Sequence, residues 1–432
     1  MIIYTVKQGD SIYSIAREYG VSPARIITDN MITSPGSLVP GQTLVILFPT
    51  VTHTVRGGET LYSIAKNFGT DLLTLYRNNP SLDGMPSVFP GQVLNIFYDA
   101  PPLGEITTLG YVYPFVDRTV LRRTLPYLTY LSVFTYGITD DGGLIPPEGG
   151  DGEIIDIAKE YGTVPLMMLT SLNSDGYFSN ELAARILADD TLQDKVIAET
   201  VRTMQKAGYG GVDVDFEYVS PSLRGRFAEF IKMLKSAVGD KYVVFVSLAP
   251  KNSAEQRGLL YEGHDYPALG EAADYVLLMT YEWGYTYGPP LAVSPIDEVR
   301  RVLDYGTSVI PGRKIQLGIP NYGYDWSLPY VRGESRAKTV SNVEAVDISR
   351  KRGVSISYDE QSEAPWFTYF DRPSTYADAV EHEVWFEDAR SIDAKLRLIP
   401  EYGLNGASVW NVMNYFPQMW LIVNRLFHIR RE

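Results

Sequence analysis

Tyr209-Gly210-Gly211-Val212-Asp213-Val214-Asp215-Phe216-Glu217-Tyr218 is the stretch on which the reading of this chain turns. Its β-branched and aromatic residues mark a strand, yet acids stand at every second position from 213 to 217. Strand side chains alternate between faces, so Asp213, Asp215 and Glu217 project one way and Val212, Val214 and Phe216 the other. Three carboxyls in steps of ~7 Å along one buried face would lose hydration and repel one another. At least one pKa should rise sharply, and the titrations should couple. Three readings account for such a ladder: an edge strand with its acids in water, a divalent-cation site, or acid catalysis by a carboxyl of raised proton affinity. The outward valines speak against the first. No further Asp or Asn cluster stands at neighbouring strand ends to complete a cation's ligands.

Around the ladder, about 325 residues alternate short apolar strands with amphipathic helices, an α/β pattern. Strands are predicted at Thr107–Val112, Leu128–Thr135, Val164–Leu169, Gly211–Glu217, Val243–Leu248, Tyr275–Thr280, Ile315–Ile319 and Ala407–Trp410. Eight is the count of a (β/α)8 TIM barrel, which would aim the three acids inward. An open doubly wound sheet competes, but no Gly-rich phosphate fingerprint follows any strand. After the ladder, Ser220 and Pro221 suit a helix start, with Leu223, Phe227, Phe230, Ile231 and Leu234 on one face. The gap before the last strand is about 87 residues, roughly twice what one helix requires. A small α+β insertion is expected at about 330–386, with Asp388–Ile399 returning as the barrel helix.

Upstream, residues 4–46 and 53–96 repeat one another. Ser11 and Thr60 are good helix N-caps. Ile12, Ile15, Ala16 and Tyr19 match Leu61, Ile64, Ala65 and Phe68 at the spacing of one buried helix face. Gly20 and Gly69 end those helices, second helices fit near Ser22–Asn30 and Asp71–Asn78, and each unit closes with a Pro-Gly-Gln turn and a short strand. The expected organisation is two βααβ modules at 1–49 and 50–98, a Pro/Gly linker at 99–104, and the large domain at 105–432.

Composition narrows the field. The 432 residues carry a formal charge of −14, no cysteine and four histidines. Disulfides, thiolate metal sites and cysteine nucleophiles are excluded. No histidine pair has helix-turn spacing, which argues against a histidine-built metal site; no metal and no cofactor is expected. The acid excess argues against nucleic acid as a partner. No apolar stretch approaches the ~20 residues of a membrane span, and MIIYTVKQGDSIYSIAREYG shows no secretory pattern, so synthesis in the cytosol is expected. Tyr, Phe and Trp make up 12% of the chain, a content that also suits stacking on sugars. Oligomeric state cannot be read.

The repeat resembles the LysM module, which binds N-acetylglucosamine-containing glycans. That resemblance points to Gly9, Asp10 and Ser11, and to Gly58, Glu59 and Thr60, as one wall of each glycan groove; helix capping explains Ser11 and Thr60 equally well. Gly211-x-Asp213-x-Asp215-x-Glu217 resembles the fourth-strand signature of glycoside hydrolase family 18, with Gly210 where the family has Asp. Met279-Thr280-Tyr281-Glu282 resembles its sixth-strand Met-x-Tyr-Asp, with Glu for Asp, and Trp410 stands at the end of the last strand.

The resemblance implies a substrate-assisted mechanism. Glu217 would be the general acid and later the base. Asp215 and Asp213 would steady the substrate's acetamido group, Tyr281 would align its oxygen, and Trp410 would floor the subsite. Met279, Glu282 and Trp283 would line it, with Trp326 a further candidate for flanking the cleft. LysM modules on such a barrel further resemble spore cortical fragment-lytic N-acetylglucosaminidases. The partner would then be cortex peptidoglycan (muropeptides), the location the spore coat/cortex boundary, and the role germination. The alternatives are a chitinase and a catalytically silent glycan-binding coat protein. Removing residues 1–98 is expected to weaken wall binding while sparing small substrates.

Overall fold

The computed structural model describes residues 1–98, 103–173, 176–372 and 378–432. Eight parallel strands form a closed barrel: β1 (Gly104–Val112), β2 (Tyr130–Ile138), β3 (Val164–Thr170), β4 (Gly211–Asp215), β5 (Val243–Leu248), β6 (Tyr275–Leu278), β7 (Ile315–Pro320) and β8 (Gly406–Trp410). They pair in chain order, and β8 and β2 both pair with β1 to close the ring. The predicted strands match within a few residues. The ladder strand, however, ends at Asp215, so Glu217 stands on the loop above it. The linker assignment falls mostly on residues 99–102, outside the described residues, while Gly104 already belongs to β1.

The period of two sorts the ladder strand as expected. Val212, Val214 and Phe216 lie in the apolar layer between barrel and helices. The interior is filled by Leu109, Tyr111, Tyr130, Leu166, Met168, Phe245 and Leu277, a packed core rather than a pore. Helix Arg224–Val238 buries Phe227, Phe230, Ile231 and Leu234 against the sheet after a short 3-10 turn at Pro221–Leu223. The insertion starts earlier than expected, at Gly323, because β7 runs straight into its first strand. Its five antiparallel strands order as Lys338–Val340, Gly323–Ser327, Val380–Trp385, Ala364–Asp371 and Ser357–Asp359, with helix Asn342–Arg352 packed on them. Asp388 caps the returning helix Ala389–Tyr402.

Both N-terminal repeats fold as strand, two helices and strand. Ser11 and Thr60 cap their helices reciprocally with Ser14 and Ser63, a capping box that uses Ser at its third position. The modules are docked on the barrel rather than strung from it. In the first, Ile356 N–H donates to Pro40 O at 2.9 Å and Thr43 Oγ1 pairs with Gln418 at 2.9 Å. In the second, Tyr161 OH donates to Gly84 O at 2.6 Å and Tyr127 OH to Arg77 O at 3.0 Å. Gly41 and Gly84 hold positive φ at these contacts, and a Cβ on either would lie 1.9 Å from Ile356 O or 2.2 Å from Arg122 O. The second module thus shares the barrel's core, whereas the first keeps a small core of its own and docks through Val39, Val45 and Leu47.

Candidate active site

The cleft opens at the carboxyl ends of the strands, with a volume of about 600 Å³. Asp213 is fully buried at its base, Asp215 nearly so, and Glu217 only partly, so the ladder climbs from core to cleft. In the barrel ring Asp213 sits between Met168 of β3 and Phe245 of β5. Its Oδ2 accepts the Ser132 hydroxyl at 2.8 Å. Burial raises its pKa to about 6, against the opposing hydrogen bond of Ser132 and the nearby Tyr111 hydroxyl. Asp215 is pushed well above the carboxylate range by burial and then by the charges of Glu217 and Asp213. Oδ1 of each aspartate is buried without a hydrogen-bond partner among the described residues. Burial, followed by the Glu282 charge, raises Glu217 to about 7. These shifts follow from geometry: burial at the barrel mouth comes first, and for Asp215 and Glu217 a neighbouring like charge adds to it.

Tyr281 is buried at the cleft wall, and Met279, Glu282, Trp283 and Trp410 line the same space. Gly318 on β7 makes room for Tyr281, since a Cβ there would lie 2.9 Å from the ring. Trp410 packs with Tyr111 and Phe134 at ring-centroid separations of 5.3 and 5.8 Å. Glu282 adopts a positive φ of 70° and remains exposed in the cleft. Its carboxylate accepts the hydroxyls of Tyr322 and of Tyr324, the latter at 3.0 Å. The extra methylene relative to aspartate thus reaches the start of the insertion. At Gly210, where the family has Asp, a Cβ would lie 2.3 Å from Val164 Cγ1, so that valine would have to turn to admit one.

Trp326 does not flank the cleft. It is 1% exposed and its indole N–H donates to Gly288 O at 2.8 Å, which makes it packing between the insertion and the loop after β6. Sequence reasoning missed Tyr111, Tyr113, Phe134 and Ser132. The first two continue the period of two from Leu109, Tyr111 within β1 and Tyr113 just beyond its end, a signal present in the sequence. Ser132 was illegible, because its partner is set by barrel register.

In the modules, Asp10 Oδ2 accepts Tyr4 OH and Lys7 N–H, both at 2.7 Å, and Glu59 Oε2 accepts Arg56 N–H and pairs with His53, both at 2.7 Å. Gly9 and Gly58 turn these loops at φ of 87° and 86°. Asp10, Glu59, Ser11 and Thr60 therefore brace the loops with their side chains. Among the described residues no three His, Asp or Glu side chains are arranged to hold a cation.

Comparison with known proteins agrees with this geometry. The glycosyl hydrolases family 18 model matches residues 154–414, and the LysM domain model matches 4–47 and 53–97. The chain is 38% identical over 439 residues to the cortical fragment-lytic enzyme of Bacillus subtilis, covering 100% of this chain and 99% of that protein. The solved spore cortex-lytic enzyme SleL of Bacillus cereus is 37% identical with a TM-score of 0.83, covering 100% of this chain and 98% of that one. A chitinase of Chromobacterium violaceum is 26% identical with a TM-score of 0.68, over 74% of this chain and 98% of that one.

Proposed function

The chain belongs to glycosyl hydrolases family 18, and from that premise we propose that it is a retaining, substrate-assisted glycosidase cutting spore-cortex peptidoglycan fragments after N-acetylglucosamine. The observation that carries this is the graded acid ladder at the cleft. Glu217, with a pKa of about 7, keeps a substantial protonated fraction near neutrality yet reaches the open cleft. It donates to the glycosidic oxygen and, once ionised, activates water. No second carboxylate is needed as nucleophile, because the sugar's acetamido oxygen attacks the anomeric carbon. Asp215 holds the acetamido N–H through an oxygen that has no protein partner. Asp213 beneath it shares a proton and sets its charge. Tyr281 aligns the acetamido oxygen, and Trp410 supports the sugar ring.

Coverage supports the cortex substrate. The cortical fragment-lytic relative spans both modules and the barrel, whereas the chitinase matches a part the size of the barrel alone. The modules' bracing loops (Gly9, Asp10 and Ser11; Gly58, Glu59 and Thr60) would present backbone groups to wall glycan, and the place of action would be the spore. Muramic-δ-lactam has no free acetyl group, so new reducing ends should be N-acetylglucosamine. Digestion of cortex fragments by the wild type and by Glu217→Gln, read by mass spectrometry, tests this. Release with N-acetylglucosamine ends by the wild type alone supports the reading. Lactam ends, or equal release by the variant, refute it.

A further inference from the structure

β4 and β5 pair in register only as far as Val214 beside Val246. Past that rung the carbonyl of Phe216 and the amide of Ala249 are joined through one side chain, His264, fully buried in the loop after β5. Ala249 N–H donates to Nδ1 at 2.8 Å, and Nε2–H donates to the Phe216 carbonyl at 3.0 Å. A backbone amide has only a proton to give, so Nδ1 must accept and Nε2 must carry the hydrogen. Burial depresses the ring's pKa to about 4, against the pull of the Phe216 carbonyl and with help from Lys251. Lys251 Nζ donates to the His264 carbonyl at 3.0 Å, and Tyr266 OH donates to Ala249 O at 2.6 Å.

Phe216 is gripped at its other end as well, its ring stacked on Phe227 and Phe230 at 5.7 and 5.6 Å. Beyond Glu217, Val219 lies so close to Gly263 that a Cβ on the glycine would be 2.2 Å from Val219 O. Both sides of Glu217 are therefore locked to the loop that carries His264.

We infer that His264 is a positioning residue for Glu217: its neutral imidazole ties the backbone immediately before the acid to the end of the neighbouring strand, fixing the carboxyl in the cleft. The inference rests on the proposed role of Glu217 as proton donor. The Asn amide falls near the Nδ1 position and the Gln amide near the Nε2 position, so each keeps one of the two hydrogen bonds well placed and misaligns the other, and either variant should let the acid drift.

His264→Asn and His264→Gln are tested on an N-acetylglucosamine oligosaccharide and on the dinitrophenyl glycoside of the same sugar, whose leaving group departs without a proton. The quantity read is kcat/KM, which covers the steps through leaving-group departure. The expected result is a loss of roughly 10- to 100-fold on the oligosaccharide and less than about 3-fold on the dinitrophenyl glycoside. Equal losses on both, or no loss on the oligosaccharide, overturn the inference. If the variants fail to fold by circular dichroism, nitrogen NMR of the wild-type ring decides. The neutral Nε2–H tautomer should persist throughout the active pH range; an Nδ1–H tautomer or an imidazolium there overturns the inference. Glu217→Gln serves as the control. If it turns over the oligosaccharide normally, the role of Glu217 itself fails; if it is inactive while the His264 variants show equal losses, only the role of His264 fails.

Discussion

Glu282 is the charged neighbour that, after burial, does most to keep a proton on Glu217. It reaches this position from the loop after β6, with its own carboxylate held by Tyr322 and Tyr324.

Replacing Glu282 by Gln removes that negative charge and should lower the pKa of Glu217. The acid form of Glu217 is the working one, so activity falls as pH rises through its pKa of about 7. In Glu282→Gln this alkaline limb should move to lower pH by roughly half a unit, a modest amount because the exposed charge is screened. A pH–rate profile on one oligosaccharide checks it.

Asp215→Asn should lower kcat by roughly 10²- to 10³-fold and alter stability in the opposite sense. The folded-state pKa of Asp215 lies above its unfolded value. The stability linked to its proton is fully present below the unfolded pKa and is lost as pH rises through the folded one. The variant has no such proton to lose, so its melting temperature should fall less than the wild type's between pH 5 and 9. Thermal denaturation at a series of pH values reads this directly.

Gly318→Ala should damage the site from behind. The new methyl would lie 2.5 Å from Leu278 O and 2.9 Å from the Tyr281 ring. We expect a loss of about 1–3 kcal/mol in denaturant unfolding and a drop in kcat larger than that in Val309→Ala, a substitution on the outer helix Ile296–Val309.

Deleting residues 1–98 should not leave a normal barrel. The core shared by module and barrel includes Leu75, Tyr76, Tyr127, Tyr161 and Trp420. The truncated protein should melt at lower temperature and self-associate through the uncovered face. Gly41→Ala and Gly84→Ala, each costing about 1–3 kcal/mol, should loosen one module at a time. Calorimetry of the three proteins beside the wild type shows whether the modules unfold together with the barrel.

The sequence by itself determined which side of β4 the acids occupy, where the eight strands fall, how the repeats fold and which helix faces are buried. Each of these is a local periodicity, and period two or 3.6 is legible without knowing any neighbour. Only the tertiary structure decided that Ser132 meets Asp213, that Glu282 turns to Tyr322 and Tyr324, that Gly210 faces Val164, that His264 braces Phe216, and that the modules dock. Those contacts join residues far apart in the chain through barrel register and close packing, and neither leaves a trace in the spacing of one segment.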